Sequence, residues 1–84
     1  MDVVLPDDLV RSLTYFDKLT EEYIGSIELP KIELSELQRL WNQPDDEPMV
    51  YSYPIAKIEQ IEFFERILER QLETEKYDYF MELT

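Results

Sequence analysis

The groups in this chain with the most capacity for chemistry are its carboxylates: 20 Asp and Glu in 84 residues, against 8 Lys and Arg. Their densest run is Asp45-Asp46-Glu47. Adjacent carboxylates suggest a divalent cation, but a calcium loop alternates its oxygen ligands and turns on a glycine. This run does neither and reads as a solvated acidic loop. Paired carboxylates also serve as general acid and base, yet any chain this acidic holds such pairs by chance. Histidine and cysteine are absent, so no Ser–His or Cys–His nucleophile, thiolate metal ligand or disulfide can form. The single glycine, Gly25, excludes a glycine-rich phosphate loop. No catalytic residue, metal site or cofactor is expected, and the chain is not expected to be an enzyme.

What remains is binding. The net charge is −12, while 44% of the residues are hydrophobic, so the chain should fold and carry its charge on a surface. A small folded anion attracts and steers a basic partner and repels nucleic acid and anionic membranes. The basic residues are scattered, with no nucleic-acid footprint. Residues 1–84 suffice for one domain, which must use most of its apolar residues in the core. Met1 to Val10 lacks the basic and apolar regions of a signal peptide, and no apolar run reaches the length of a membrane span. The cytoplasm is the expected compartment.

The elements that would present the carboxylates follow from periodicity. Residues 1–10 read as a lead-in. Arg11 to Asp17 and Tyr23 to Leu29 are β-prone and separated by a short polar connection, predicting a β-hairpin over 11–29 that ends at Pro30. Residues 34–42 read as a short helix with Ser35 as its cap and Leu34, Leu37, Leu40 and Trp41 as its apolar side. Residues 43–54 carry the acidic triplet with Pro44, Pro48 and Pro54, and read as a loop. Residues 55–72 predict an amphipathic helix with Ile58, Ile61, Phe64, Leu68 and Leu72 inward. Residues 77–83 predict a final strand. The expected fold is α+β: a small antiparallel sheet of about three strands, in the order β-β-α-α-β, with helices on one face.

Strand alternation sorts the two sheet faces. Leu13, Tyr15, Tyr23, Ile27, Leu29, Tyr77, Tyr79, Met81 and Leu83 are assigned to the core. Thr14, Phe16, Glu22, Ile24, Ser26, Glu28, Asp78, Phe80 and Glu82 are assigned to the opposite face. That face combines Phe16, Ile24 and Phe80 with the carboxylates of Glu22, Glu28, Asp78 and Glu82. An apolar centre ringed by carboxylates suits a basic protein partner; an ordinary solvated face with a few exposed aromatics fits the same pattern. On the long helix, Phe63 and Ile67 widen the apolar arc. Either the short helix or the lead-in covers them, or they form a homodimer contact. Gly25 within a strand marks a bulge or a close backbone approach.

The stretch Leu13-Thr14-Tyr15-Phe16-Asp17-Lys18-Leu19-Thr20-Glu21-Glu22-Tyr23-Ile24-Gly25 resembles the opening hairpin of the cloacin-type immunity proteins. These are small acidic proteins that bind and neutralise the ribonuclease domain of a co-produced bacterial toxin. The match covers the hairpin alone. The middle of this chain departs from it, with two expected helices where that family has more strand and one short helix. The segment Glu28 to Leu34 and the terminal Tyr77-Asp78-Tyr79-Phe80 also resemble a second, small bacterial domain family. The first resemblance implies that Phe16, Asp17, Glu21 and Glu22 belong to a toxin-contacting sheet; Ile24, Glu28, Asp78, Phe80 and Glu82 join them by alternation. The expected function is thus an immunity protein that binds a basic nuclease domain. The alternative is a non-catalytic structural or adaptor domain that dimerises through Phe63 and Ile67.

Overall fold

The computed structural model describes residues 10–83; the lead-in expected over 1–10 lies, up to Leu9, outside them. The chain is a small α+β domain. Its elements run β1 (Arg11–Asp17), β2 (Tyr23–Glu28), α1 (Leu34–Leu40), β3 (Tyr53–Pro54), α2 (Ile58–Leu68) and β4 (Tyr77–Leu83). The strands form one antiparallel sheet in the order β2-β1-β4-β3. The two longest strands, β1 and β4, therefore lie at its centre.

The fourth strand corrects the expectation of about three. Tyr53 and Pro54 pair with Met81 and Phe80, inside the segment read as loop because of its prolines. A proline has no N–H to give to a ladder and is tolerated only at an edge. β3 occupies such an edge. Beyond it, the Ile55 N–H continues the ladder by donating to the Tyr79 carbonyl at 2.9 Å.

Both helices pack on the sheet face that carries Leu13, Tyr79 and Met81. Leu37 of α1 and Phe64 of α2 join those three in one core, together with Leu29, Met49, Ile55 and Leu72. Leu13, Leu37, Met49, Phe64 and Met81 are completely buried. Truncating a phenylalanine in such a position typically costs about 3–5 kcal/mol. Trp41 binds the layers together. Its ring lies 5.8 Å from Tyr53 and 5.9 Å from Phe64, and its indole N–H donates to the Pro54 carbonyl at 2.9 Å.

Both helices differ in detail from the sequence reading. α1 takes its N-cap from Glu33 rather than Ser35, because Leu34 is already helical and the Glu33 carbonyl accepts from the Glu36 and Leu37 N–H groups. α2 is shorter than the expected 55–72. At its start the side chain of buried Gln60 accepts from the N–H groups of Ala56 and Lys57 at 2.9 and 3.0 Å, which stops the helix extending backwards. Ile58, placed in the apolar stripe by its spacing, opens the helix and is 70% exposed. At the other end Glu69 adopts a left-handed conformation, φ 54°, and the Glu65 carboxylate accepts from the Leu72 N–H at 2.8 Å.

The acidic proline-rich loop is fastened from below. Buried Gln38 donates to the carbonyls of Asp45 and Glu47 at 3.0 and 2.8 Å. Arg11 donates to the Pro48 carbonyl at 3.1 Å. Glu47 accepts from the Met49 N–H and from the Tyr53 hydroxyl, both at 3.2 Å. This hydrogen bond and burial together raise the Tyr53 pKa, burial being the larger cause.

Candidate functional site

The sheet face away from the helices is built by the pairing of β1 with β4. Phe16 stands opposite Asp78, Thr14 opposite Phe80 and Ser12 opposite Glu82. Opposed residues point to the same side of a sheet, so β4 contributes an alternating acid, ring and acid. The β1 residues beside them, Ser12 and Thr14, are short, and they are only 7% and 8% exposed. Small residues on a central strand leave a depression between the longer side chains of their neighbours. Phe16 and Phe80 meet edge to face, centroids 5.8 Å apart.

β2 adds a ring that alternation assigns to the other side. The pairing steps from Tyr15↔Gly25 to Phe16↔Tyr23, so Ile24 is an extra residue, a β-bulge. The bulge reverses the alternation beyond it. Tyr23, assigned to the core from sequence, instead stands beside Phe16, ring centroids 5.9 Å apart, and is largely exposed. Ile24 is 44% exposed. The outer face thus carries a row of three rings, Tyr23, Phe16 and Phe80.

A groove of about 340 Å³ opens over two of these rings, lined by Phe16, Asp17, Glu21, Ser52, Asp78, Phe80 and Glu82. Ser52 closes one side, its hydroxyl donating to Glu82 Oε1 at 3.0 Å. Sequence reasoning did not single out Ser52. It arrives through the turn into β3, which nothing local in the sequence signals. At the other side lies the hairpin connection. Asp17 Oδ1 accepts from the Leu19 and Thr20 N–H groups at 2.8 and 3.0 Å. These bonds, Thr20 first, hold the Asp17 carboxyl below the usual carboxylate range. Glu21 sits in the left-handed region at φ 62°, its N–H donating to the Asp17 carbonyl at 2.8 Å. The Lys18 ammonium pairs with Asp78 Oδ1 at 2.9 Å.

The residues singled out from sequence therefore divide. Phe16, Asp17, Glu21, Asp78, Phe80 and Glu82 come together around one groove. Glu22, Ile24 and Glu28 do not line it. Glu22 is exposed in the hairpin connection, Ile24 is in the bulge, and Glu28 stands opposite Ser12 on the edge strand. Phe63 and Ile67, the residues of the homodimer alternative, are half-buried and packed against the core. Asp45 and Asp46 are exposed. Among the described residues no group of three or more acidic side chains is placed to hold a metal ion, and no helix is long and apolar enough to cross a membrane.

The groove joins one hydroxyl, that of Ser52, to four carboxylates and two rings. It offers an aromatic floor with carboxylates at its rim, the complement of a cationic, partly apolar surface. Comparison with known proteins gives the family: the chain belongs to the one described as Domain of unknown function (DUF7683), which it matches over residues 10–82. No curated protein and no solved structure matches it.

Proposed function

We propose that this member of the DUF7683 family is an immunity protein that acts in the cytoplasm. Its partner is the basic nuclease domain of a bacterial toxin, a ribonuclease in the first instance. It neutralises that domain by covering its cationic surface, with no catalysis of its own. The observation that carries this reading is the groove over Phe16 and Phe80, rimmed by Asp17, Glu21, Asp78 and Glu82, on a chain of net charge −12. A nuclease must present positive charge where it binds the phosphate backbone, and an acidic face with a ring floor can occupy that surface in place of substrate. Complementary charge of this size raises association rates, up to about 10⁸–10⁹ M⁻¹s⁻¹ at low salt. The hairpin resemblance to the cloacin-type immunity proteins supports the same class of partner, since Phe16, Asp17 and Glu21 lie within the resembling stretch.

The test is the product of the adjacent gene. Mixed with that protein, the chain is expected to form a one-to-one complex and to abolish its nuclease activity at equimolar ratio. A neighbouring gene product with no nuclease activity, or a nuclease left active by an excess of the chain, overturns the reading.

A further inference from the structure

One acid of the groove, Asp78, is already paired with a cation of the chain itself. Lys18 at the tip of the hairpin connection places its ammonium 2.9 Å from Asp78 Oδ1, with both side chains about half exposed, 41% and 51%. An exposed pair of this kind contributes little, about 0–1 kcal/mol, and opens readily. Asp78 stands directly across from Phe16, whose ring packs edge to face on Phe80. Farther along β4, Glu82 is oriented by the Ser52 hydroxyl on Oε1. Among the described residues, the second carboxylate oxygen of Asp78 and of Glu82 takes no hydrogen bond. Both acids line the groove.

We infer that this groove is a receptor for an arginine side chain of a basic protein partner, which displaces Lys18 from Asp78. The chemistry selects arginine over lysine. The planar guanidinium can engage both oxygens of Asp78 in a fork while its flat face lies against the Phe16 and Phe80 rings; an ammonium is a compact, strongly hydrated point charge and can only repeat what Lys18 already does. The volume, about 340 Å³, lies at the small end of the range for ligand pockets and suits one inserted side chain. Lys18 then acts as a resident competitor, keeping Asp78 paired until a better cation arrives. The inference rests on the proposed binding of a basic protein, and it names the side chain that the groove would receive.

N-acetyl-arginine amide is the probe, titrated into the protein at constant ionic strength while NMR follows the Phe16 and Phe80 rings and the Asp78 carboxyl carbon. Saturable shifts at these three residues are expected, with a dissociation constant of order millimolar and weaker binding of N-acetyl-lysine amide. Lys18→Met should tighten arginine binding about two- to fivefold, and Asp78→Asn should weaken it by a similar factor. Linear, unsaturated shifts, equal affinity for the lysine probe, or indifference to Asp78→Asn each overturn the inference. Both substituted positions are exposed, so folding is checked by unchanged shifts in the core. Because no nuclease is present, a negative result removes the arginine site and leaves the nuclease titration to decide the proposed function separately.

Discussion

The ring of Tyr15 lies across Gly25 on the neighbouring strand: a Cβ added there would stand 3.0 Å from the phenolic oxygen and 3.2 Å from Cζ. Tyr15 cannot swing aside freely, because Tyr77 and Tyr79 hold it with ring centroids 5.2 and 5.3 Å away. The only glycine in the chain therefore serves a close approach beside the β-bulge that turns Tyr23 outward. Gly25→Ala is expected to destabilise the fold by about 1–3 kcal/mol, as overpacking does. Chemical denaturation reads this as a lower midpoint at unchanged slope. An unchanged midpoint would mean that the tyrosine cluster yields.

Glu69 ends α2 in the left-handed region, φ 54°, where a side chain is strained and glycine is not. Glu69→Gly is expected to stabilise the protein by about 0.5–1 kcal/mol, the relief of left-handed strain being partly offset by the added freedom of the unfolded chain. For a domain of this size that corresponds to a Tm rise of roughly 2–8 °C. Glu69→Ala, which keeps the strain, should give no such rise.

Gln60 is 3% exposed and joins the two helices. Its oxygen accepts from the N–H groups of Ala56 and Lys57, and its nitrogen donates to the Leu40 carbonyl at 3.3 Å. Gln60→Ala orphans all three groups and is expected to cost about 2–4 kcal/mol. Gln60→Glu keeps the acceptor but sets a carboxylate against the Leu40 carbonyl, so it should recover part of the loss at low pH, where the side chain carries a proton. Denaturation at pH 4 and pH 7 separates the two effects.

These residues also show where sequence patterning holds and where it fails. Tyr79 and Met81 inward, with Asp78, Phe80 and Glu82 outward, follow from period-two alternation because β4 is regular over its whole length. Tyr23 escapes the same rule because one extra residue, Ile24, reverses the parity, and Gly25 was the only local sign of it. Ile58 matches the helical spacing of Ile61 and Phe64 but lies in the first turn, beyond the edge of the core. Gln60 is polar and therefore unmarked by any hydrophobic pattern, although it is more buried than most of the stripe. Ser52 reaches the groove only because β3 pairs with β4 across a long separation in sequence. Such pairing depends on tertiary structure, which local composition does not encode.

Asp17 provides a pH-dependent test of the hairpin. Backbone N–H bonds from Thr20 and Leu19 lower its folded pKa below the unfolded value of about 3.9. A lowered carboxyl contributes stability that is present above the unfolded pKa and is lost as pH falls through the folded one. The wild-type protein should therefore lose hairpin stability below about pH 4 through this group. Asp17→Asn retains an acceptor for the turn but does not titrate, and the acid limb of its stability curve should be shallower. Hydrogen exchange at the Leu19 and Thr20 amides across this range reports the turn directly. Identical acid limbs in the two proteins would remove Asp17 as the cause.

The rings and the acids of the outer face should contribute to different steps of nuclease binding. Phe16 and Phe80 can act only once the surfaces touch and water is excluded, so Phe16→Ala or Phe80→Ala should raise the dissociation rate and cost more than about 1 kcal/mol of affinity, with the association rate nearly unchanged. Glu22 and Glu28, exposed and outside the groove, act at a distance through the field of the whole chain, so Glu22→Gln with Glu28→Gln should slow association and flatten its dependence on salt. Stopped-flow association and dissociation measured from about 20 to 300 mM salt distinguish the two classes. If neither ring substitution affects dissociation, the contact lies off this face. If association is insensitive to salt, the charge of −12 does not steer the encounter.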